Sequence, residues 1–264
     1  MDLQLRGKRA LVTGSTAGIG FATATGLSRE GASVAVNGRT PERVEQAAGQ
    51  IRGLGSVAEV SGIAADLSTA EGVAHLVRQL PEVDILVNNL GIFEPKPFEE
   101  IPDEDWLRFF ETNVLSGVRL TRHYQPGMRR QDWGRIVFVS SESGVQIPVE
   151  MIHYGMTKTA QLAIARGVAE SVAGTGITVN SVLPGPTESE GVAQFVEDLA
   201  RQRGVGRSVV EAEFFRTARP TSLLKRFATV EEVANMIVYV CSPLASATSG
   251  AALRVDGGVV RAIV

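Results

Sequence analysis

The chain has 264 residues, of which 44 % are hydrophobic and 21 % are charged, and its formal net charge is −3. This length suits one large α/β domain with a substantial core, and the acidic balance gives no reason to expect a nucleic-acid or membrane-surface partner. No apolar run approaches the roughly 18 residues that a membrane helix needs, and the N-terminus lacks a secretory pattern. Cys241 is the only cysteine, so no intrachain disulfide can form. We therefore expect a soluble, cytoplasmic protein.

Short apolar, β-branched runs alternate with longer helical patterns along the chain. The runs predict strands at 8–13, 32–36, 57–65, 84–88, 134–140, 176–184 and 252–256. The helical patterns lie near 18–30, 40–53, 69–80, 103–129, 150–173 and 229–242. Continuous apolar strands separated by helices are typical of a parallel sheet that is covered on both faces. We therefore expect an α/β fold, a single doubly wound domain over 1–264 with a seven-stranded parallel sheet.

One segment interrupts this alternation. After the strand at 176–184, about forty residues pass with no clear strand or helix signal before the next helix. Connections of this length are usually binding segments or lids, so we assign a substrate lid to about 188–222. Its arginines alternate with acids and are interpreted as a solvated face, although an inward-turned arginine could bind an acidic substrate. These arginines are Arg201, Arg203, Arg207, Arg216 and Arg219.

Three glycines, Gly14, Gly18 and Gly20, lie between the first predicted strand and the first predicted helix. In an open α/β sheet, a dinucleotide pyrophosphate meets bare backbone and a helix N-terminus at this turn. The spacing G-x3-G-x-G differs from the common G-x-G-x-x-G fingerprint. On this motif alone, a tight strand–helix turn without a ligand remains an alternative.

The second predicted strand ends in "VNGR", with Gly38 and Arg39 at its tip. An acid that binds the adenosine ribose is expected there in NAD-binding sheets, ~20 residues past the glycine turn. A guanidinium instead suits a 2′-phosphate, which predicts NADP as the cofactor, while a solvated arginine is the alternative. Ala17 supplies no second cation, so NAD is expected as a weaker alternative, with Asn37 permitting some of its use.

Tyr154 and Lys158 stand four residues apart, the spacing that places two side chains on one face of a helix. On spacing alone, an ordinary surface helix explains this pair. His153 precedes the tyrosine and points about 100° away from it on a helix, so packing or solvent contact is expected for it.

Several motifs together resemble those of the short-chain dehydrogenase/reductase family, in its order and at its spacings, including thirteen residues from Ser141 to Tyr154. They are "TGSTAGIG" (13–20), "NNLG" (88–91), "ETNVLSG" with Asn113, "VSS" ending at Ser141, "YGMTK" (154–158) and "PG" (184–185). The similarity extends to "LRVDGG" (253–258) and so covers nearly the whole chain. This resemblance implies a Rossmann-type dinucleotide-binding fold with helices on both faces of the sheet.

The resemblance also implies catalytic roles for four residues. Tyr154 would be the general acid/base, and Lys158 would bind the nicotinamide ribose and lower the tyrosine pKa. Ser141 would hydrogen-bond the substrate oxygen, and Asn113 would hold the water of a proton relay. A free phenol has a pKa of about 10, and a nearby ammonium together with the cationic oxidised nicotinamide would favour the phenolate.

Cofactor contacts follow from the same resemblance. Those around the pyrophosphate are Gly14, Ser15, Thr16, Gly18, Ile19 and Gly20. The adenine and its ribose would meet Asp66, Leu67, Asn89 and Gly91, with Arg39 at the 2′-phosphate. The nicotinamide end would meet Pro184, Gly185, Thr187 and Ser189, besides Tyr154 and Lys158. For Asp66, a helix cap is the alternative.

Two functions from different classes are compatible with these residues. The first is an NADP-dependent oxidoreductase acting on a small-molecule carbonyl or secondary alcohol, with the resemblance suggesting a 3-oxoacyl-thioester reductase. The second is a non-catalytic dinucleotide-binding sensor or scaffold, which would be expected to lose the tyrosine or lysine.

No His/Cys/Asp cluster has metal-ligand spacing, so no catalytic metal is predicted. Family members commonly pair through the helices at 103–129 and 150–173, and the second is apolar on more than one face, which predicts a homo-oligomer, most simply a tetramer.

Overall fold

A computed structural model describes residues 1–55 and 58–263 and places a seven-stranded parallel sheet at the centre. The strands follow the spatial order β3-β2-β1-β4-β5-β6-β7. They are β1 (Arg9–Val12), β2 (Ser33–Gly38), β3 (Val60–Ala64), β4 (Ile85–Asn88), β5 (Gly134–Val139), β6 (Ile177–Pro184) and β7 (Ala252–Val255). The predicted α/β fold with seven parallel strands is confirmed. Val57, the first residue of the predicted third strand, lies outside the described residues.

Helices cover both faces of this sheet. They are α1 (Gly18–Arg29), α2 (Pro41–Gly53), α3 (Ala70–Gln79), α4 (Asp103–Phe110), α5 (Ser116–Arg130), α6 (Ile152–Ser171), α7 (Glu190–Arg203), α8 (Arg207–Thr217) and α9 (Val230–Val240). The helix predicted at 103–129 is divided, because a π-helical turn, Glu111–Leu115, lies between α4 and α5. Such turns insert an extra residue into the helical ladder and are frequent at functional sites.

The alternation of side chains along β1 builds two cores. Ala10 and Val12 point into a cluster formed with α1, α2 and α9, and Leu11 points into a second cluster formed with α3, α5 and α6. This is the period of two that a strand imposes on its side chains. Because both clusters are apolar, the central strands β4, β5 and β6 are buried on both faces, which explains their continuous hydrophobic sequences.

The strand order places a crevice at the carboxyl end of β1. The chain moves outward from β1 to β2 and β3, then returns to pair β4 on the other side of β1. Open α/β sheets bind ligands at this kind of switch point. The residues that follow β1, β4, β5 and β6 are therefore brought to one edge of the sheet.

The predicted lid contains two helices, α7 and α8, which the sequence pattern did not indicate. Helices α7 and α8 bury apolar side chains against one another and form a third cluster away from the sheet. This cluster comprises Val196, Ala200, Val210, Phe215 and Phe227. The few apolar residues of α7 and α8 are spread among charged residues, so the sequence shows no clear helical periodicity there.

None of the helices among the described residues has the length and hydrophobicity to cross a membrane.

Candidate active site

The glycine turn has the shape that a pyrophosphate requires. Gly14 and Gly18 both have φ of 59°, in the left-handed region that favours glycine. Helix α1 begins at Gly18 after Ala17, which offers no side-chain cap to the N–H groups of the first turn. A Cβ at Gly20 would lie 2.5 Å from the Gly14 carbonyl oxygen and from Asn89 Nδ2. The turn therefore fits a dinucleotide pyrophosphate, which helix N-termini bind through such open N–H groups.

Two polar side chains hold this turn in place. Ser15 is buried, and its hydroxyl donates to the Val12 carbonyl at 2.6 Å. Asn89 Nδ2 donates to the Thr13 carbonyl at 2.9 Å and to the Gly14 carbonyl at 3.0 Å. Ile19 packs against the first core cluster. These predicted cofactor residues lie at the crevice, and their side chains serve to shape it.

The tip of β2 presents a free cation. A Cβ at Gly38 would lie 2.5 Å from Thr16 Cγ2, so there is no room there for a carboxylate side chain. Arg39 follows and is exposed, and within the described ranges it has no hydrogen bond or ion pair. Asn37 is buried and donates to two backbone carbonyls at 3.1 and 3.2 Å, so its side chain is committed to the sheet. The role of Asn37 in permitting some NAD use stays a prediction.

The predicted adenine contacts lie at the end of β3. Asp66 is exposed and its Oδ1 accepts from the Ser68 backbone N–H at 3.0 Å and the Ser68 hydroxyl at 2.7 Å. Thr69 is the cap of α3, accepting from the Gly72 backbone N–H at 3.0 Å. Asp66 thus stabilises the turn before the helix, and Leu67 is buried in the second cluster.

The segment after β6 closes the crevice from the other side. Pro184 ends β6, and Thr187 donates its hydroxyl to the Gly185 carbonyl at 2.9 Å. Ser189 caps α7. A Cβ placed on Gly18 would lie 3.6 Å from Ser189 Cβ, so the start of the lid faces the glycine turn. Residues far apart in sequence therefore line one crevice.

The π-helical turn places Asn113 beside α6. Its Oδ1 accepts from the Ile92 backbone N–H at 2.8 Å, and its Nδ2 donates to Thr157 Oγ1 at 3.0 Å. A Cβ at Gly91 would lie 3.4 Å from Lys158 Nζ and 3.5 Å from Asn113 Oδ1. The loop after β4 therefore approaches both predicted catalytic residues, and glycine permits that approach.

Gln161 is a buried residue of this site that the sequence patterns did not indicate. Its Nε2 donates to the Asn113 backbone carbonyl at 2.5 Å, and its Oε1 accepts from Lys158 Nζ at 3.2 Å. The side chain therefore bridges Asn113 and Lys158 directly. Its position three residues after Lys158, on the same helix face, is the only signal that could have indicated it.

Burial controls the acidity of the Tyr–Lys pair. Lys158 Nζ donates to the Val139 carbonyl at 2.9 Å and lies 5.5 Å from the centroid of the Tyr154 ring. Burial lowers the pKa of Lys158 to about 7. Burial also raises the pKa of Tyr154, a hydrogen bond with Ser141 lowers it, Glu142 raises it and Arg219 lowers it. Burial is the largest of these causes, so the pKa of Tyr154 is raised overall. The lowering by Lys158 and the oxidised nicotinamide, which the resemblance implies, stays a prediction.

Ser141 belongs to a polar network that reaches the lid. Its hydroxyl donates to Glu142 Oε2 at 2.5 Å, and Arg219 Nε donates to Glu142 Oε1 at 3.0 Å. Arg219 is buried, so its interpretation as part of a solvated face is wrong. That interpretation fits Arg203, which pairs with Glu213 at the surface. The reason for the difference is that Arg219 follows α8 and its side chain reaches Glu142, next to Ser141.

Aromatic residues complete the surroundings of Tyr154. His153 is fully buried against the rings of Phe109 and Trp106, with centroid distances of 4.2 and 6.0 Å, which confirms its packing role. Phe93 contacts the Tyr154 ring edge-on at 6.3 Å and is 58 % exposed. An apolar wall beside Tyr154 therefore remains open to a ligand.

Comparison with known proteins agrees with this geometry. The sequence model of the short chain dehydrogenase family matches residues 8–200. The oxidoreductase YvaG of Bacillus subtilis (strain 168) is 48 % identical over 263 residues, which cover 100 % of both chains. The 3-oxoacyl-[acyl-carrier-protein] reductase FabG of Aquifex aeolicus (strain VF5) is 32 % identical over 98 % of this chain and 100 % of its own length. L-sorbose reductase from Gluconobacter frateurii, solved with NADPH and L-sorbose, superposes with a TM-score of 0.93 at 32 % identity and covers 100 % of both chains. The chain belongs to the short-chain dehydrogenase/reductase family.

Proposed function

We propose that this oxidoreductase interconverts a carbonyl and a secondary alcohol with NADP(H), and that Tyr154 is its general acid/base. The observation that carries the proposal is the convergence of Ser141, Tyr154, Lys158 and Asn113 beside a turn shaped for a pyrophosphate. Each of these side chains comes from a different part of the chain or a different turn of α6. A dinucleotide-binding scaffold without catalysis would not require this convergence.

The residues that would hold the dinucleotide are those of the glycine turn, the tip of β2 and the segment after β6. The bound nicotinamide supplies the hydride, and the protein supplies orientation and the proton. Arg39 supports a preference for NADP(H), because it is exposed and unpaired among the described residues next to Gly38. Its guanidinium would pair with the 2′-phosphate by charge-assisted hydrogen bonds.

The proton chemistry follows from the burial of Tyr154. Burial raises the pKa of this phenol, so the free protein holds Tyr154 protonated at neutral pH. A protonated phenol is the form that gives its proton to a carbonyl oxygen as negative charge develops there. Ser141 would hydrogen-bond that oxygen, and Lys158, with its pKa lowered to about 7, would supply a nearby exchangeable proton. The site is thus prepared for the reduction direction.

The apolar wall beside Tyr154 supports a substrate with an apolar chain, such as a 3-oxoacyl thioester. Phe93, Val145 and Ile147 remain 58 %, 48 % and 43 % exposed around the catalytic turn. Exposed apolar side chains at a cleft are typical of ligand contacts. The similarity to a 3-oxoacyl-[acyl-carrier-protein] reductase supports the same class.

A substrate panel followed at the nicotinamide absorbance tests the proposal. It contains 3-oxoacyl thioesters, short ketones, steroids and sugars including L-sorbose, each with NADPH and with NADH. We expect turnover with NADPH and the highest kcat/KM for a 3-oxoacyl thioester. Turnover of a sugar alone would contradict the substrate class, and no turnover of any compound by a protein that binds NADPH would favour the scaffold.

A further inference from the structure

A buried ion pair joins the end of the lid to the turn that carries Ser141. The side chains of Arg219 and Glu142 are only 10 % and 7 % exposed, and Arg219 Nε lies 3.0 Å from Glu142 Oε1. Arg219 Nη1 also donates to Glu150 Oε1 at 3.2 Å and to the Ala218 carbonyl at 2.9 Å. Burying charges is costly unless each is paired and hydrogen-bonded, so this arrangement fixes the position of Glu142.

The Glu142 carboxylate accepts hydrogen bonds from its own neighbours, three of them at Oε2. Oε2 accepts from the Ser141 hydroxyl at 2.5 Å, from the Ser143 backbone N–H at 2.9 Å and from the Ser143 hydroxyl at 3.2 Å. Arg219 donates to Oε1, and the side chain of Glu142 is only 7 % exposed. We therefore expect Glu142 to influence the reaction through these neighbours.

The hydroxyl of Ser141 has one proton, and an ionised carboxylate can only accept. While Ser141 donates to Glu142, it can only accept from any other partner. A carbonyl oxygen is also only an acceptor, so Ser141 must withdraw its proton from Glu142 before it can bind a carbonyl substrate. The strength of Glu142 as an acceptor then determines how readily Ser141 serves the reaction.

We propose that Glu142, with its charge balanced by Arg219 of the lid, is a positioning residue that competes with the substrate oxygen for the hydroxyl hydrogen of Ser141. This inference rests on the proposed function of Ser141 and Tyr154. Arg219 draws electron density from the carboxylate and weakens it as an acceptor. Without Arg219, the carboxylate would hold the Ser141 hydrogen more strongly and the substrate oxygen would compete less well for it.

The same pair acts on Tyr154 with opposite signs. The charged groups facing Tyr154 are Lys158 from its own helix, Glu142 from the turn after β5, and Arg219 from the segment after α8. Glu142 raises the pKa of Tyr154 and Arg219 lowers it. Removing Glu142 should consequently lower the tyrosine pKa, and removing Arg219 should raise it. Two opposite charges beside a phenol produce such shifts whatever their structural role, so the competition for the Ser141 hydrogen is read separately, from the KM of a carbonyl substrate. That KM should fall in Glu142→Gln and stay unchanged in Glu150→Gln.

The test is an ultraviolet difference titration of tyrosinate in the intact protein, read directly after a pH jump. Each variant is compared with the same variant carrying Tyr154→Phe, which isolates Tyr154 from the other two tyrosines. We expect Glu142→Gln to lower the pKa of Tyr154 and Arg219→Met to raise it. The double variant should return close to wild type. Glu150→Gln is the matched control, because it removes the other carboxylate of Arg219 without affecting the acceptor of Ser141.

The outcomes separate this inference from the proposed function, because the titration requires no turnover. Unchanged titrations, shifts of one sign in both single variants, or an equal shift in Glu150→Gln would overturn the role of Glu142. Arg219→Met leaves a buried carboxylate unpaired and could unfold the protein, so thermal unfolding is recorded for every variant. If Arg219→Met fails to fold, Glu142→Gln and the double variant still decide, since their titrations should differ from each other.

Discussion

Replacing Arg39 by Ala should remove most of the preference for NADPH over NADH. Arg39 is exposed at the tip of β2 and lies next to Gly38, where Thr16 leaves no room for a carboxylate side chain. Nothing at this tip therefore repels a 2′-phosphate, and within the described part of the chain Arg39 has no ion pair to break before it binds one. The substitution removes a cation from the nucleotide and from no other partner.

The size of the effect follows from the exposure of Arg39. A hydrogen bond to a charged group contributes ~1.5–3 kcal/mol, and solvent screening places an exposed arginine near the lower value. About 1.5 kcal/mol corresponds to roughly tenfold in affinity. We therefore expect Arg39→Ala to weaken NADPH binding about tenfold and to change NADH binding by less than about twofold.

The assay is titration calorimetry of both nucleotides against wild type and variant at fixed salt, because the contact is electrostatic. Arg29→Ala is the matched control, since it removes an exposed arginine at the far end of α1, roughly 17 Å from the glycine turn along the helix axis. The reasoning is refuted if wild type binds NADPH no more tightly than NADH. It is also refuted if Arg39→Ala leaves the affinity ratio unchanged or if Arg29→Ala changes it equally.

Three further predictions concern the turn, the lid and the assembly. Gly20→Ala would place a Cβ 2.5 Å from the Gly14 carbonyl and should weaken NADPH binding at least about tenfold and lower the unfolding temperature. Gly49→Ala in α2, whose Cβ would meet only Arg52 Nη2 at 3.8 Å, should raise the free energy of unfolding by ~0.5–1 kcal/mol, and a loss of stability equal to that of Gly20→Ala would contradict this prediction. Hydrogen exchange should show 188–222 as the fastest-exchanging internal segment in the free protein and slower with NADPH and substrate, whereas equal protection would indicate a fixed insertion. Sedimentation velocity should show a tetramer built partly through α4, α5 and α6, and monomer alone at micromolar concentration would contradict it.

The sheet could be predicted because each strand satisfies local rules. Leu11, for example, is buried on the face opposite to Ala10 and Val12, so all three must be apolar, and the run is visible without knowledge of its partners. The glycine turn and the Tyr154–Lys158 spacing are also local patterns. These features depend on residues within a few positions of each other.

The lid helices and the hydrogen-bonded network of Ser141, Glu142 and Arg219 could not be predicted from such local patterns. Val210 and Phe215 of α8 pack mainly with α7 and Phe227, so the helical period is weak in the sequence. Arg219 and Glu142 are separated by 77 positions, and an arginine among alternating charges resembles a solvated one. The π-helical turn around Asn113 has the same apolar pattern as an unbroken helix. Each of these features depends on contacts between distant segments.

The most direct test of the central claim is the turnover of Tyr154→Phe on a substrate that wild type reduces, measured together with its NADPH dissociation constant. This substitution removes only the phenolic hydroxyl, which carries the transferred proton, and general acid catalysis contributes ~10²–10⁴-fold. We predict that kcat falls by at least about 10²-fold while NADPH affinity stays within about twofold. Retention of more than about a tenth of wild-type turnover would contradict the assignment of Tyr154 as the acid/base.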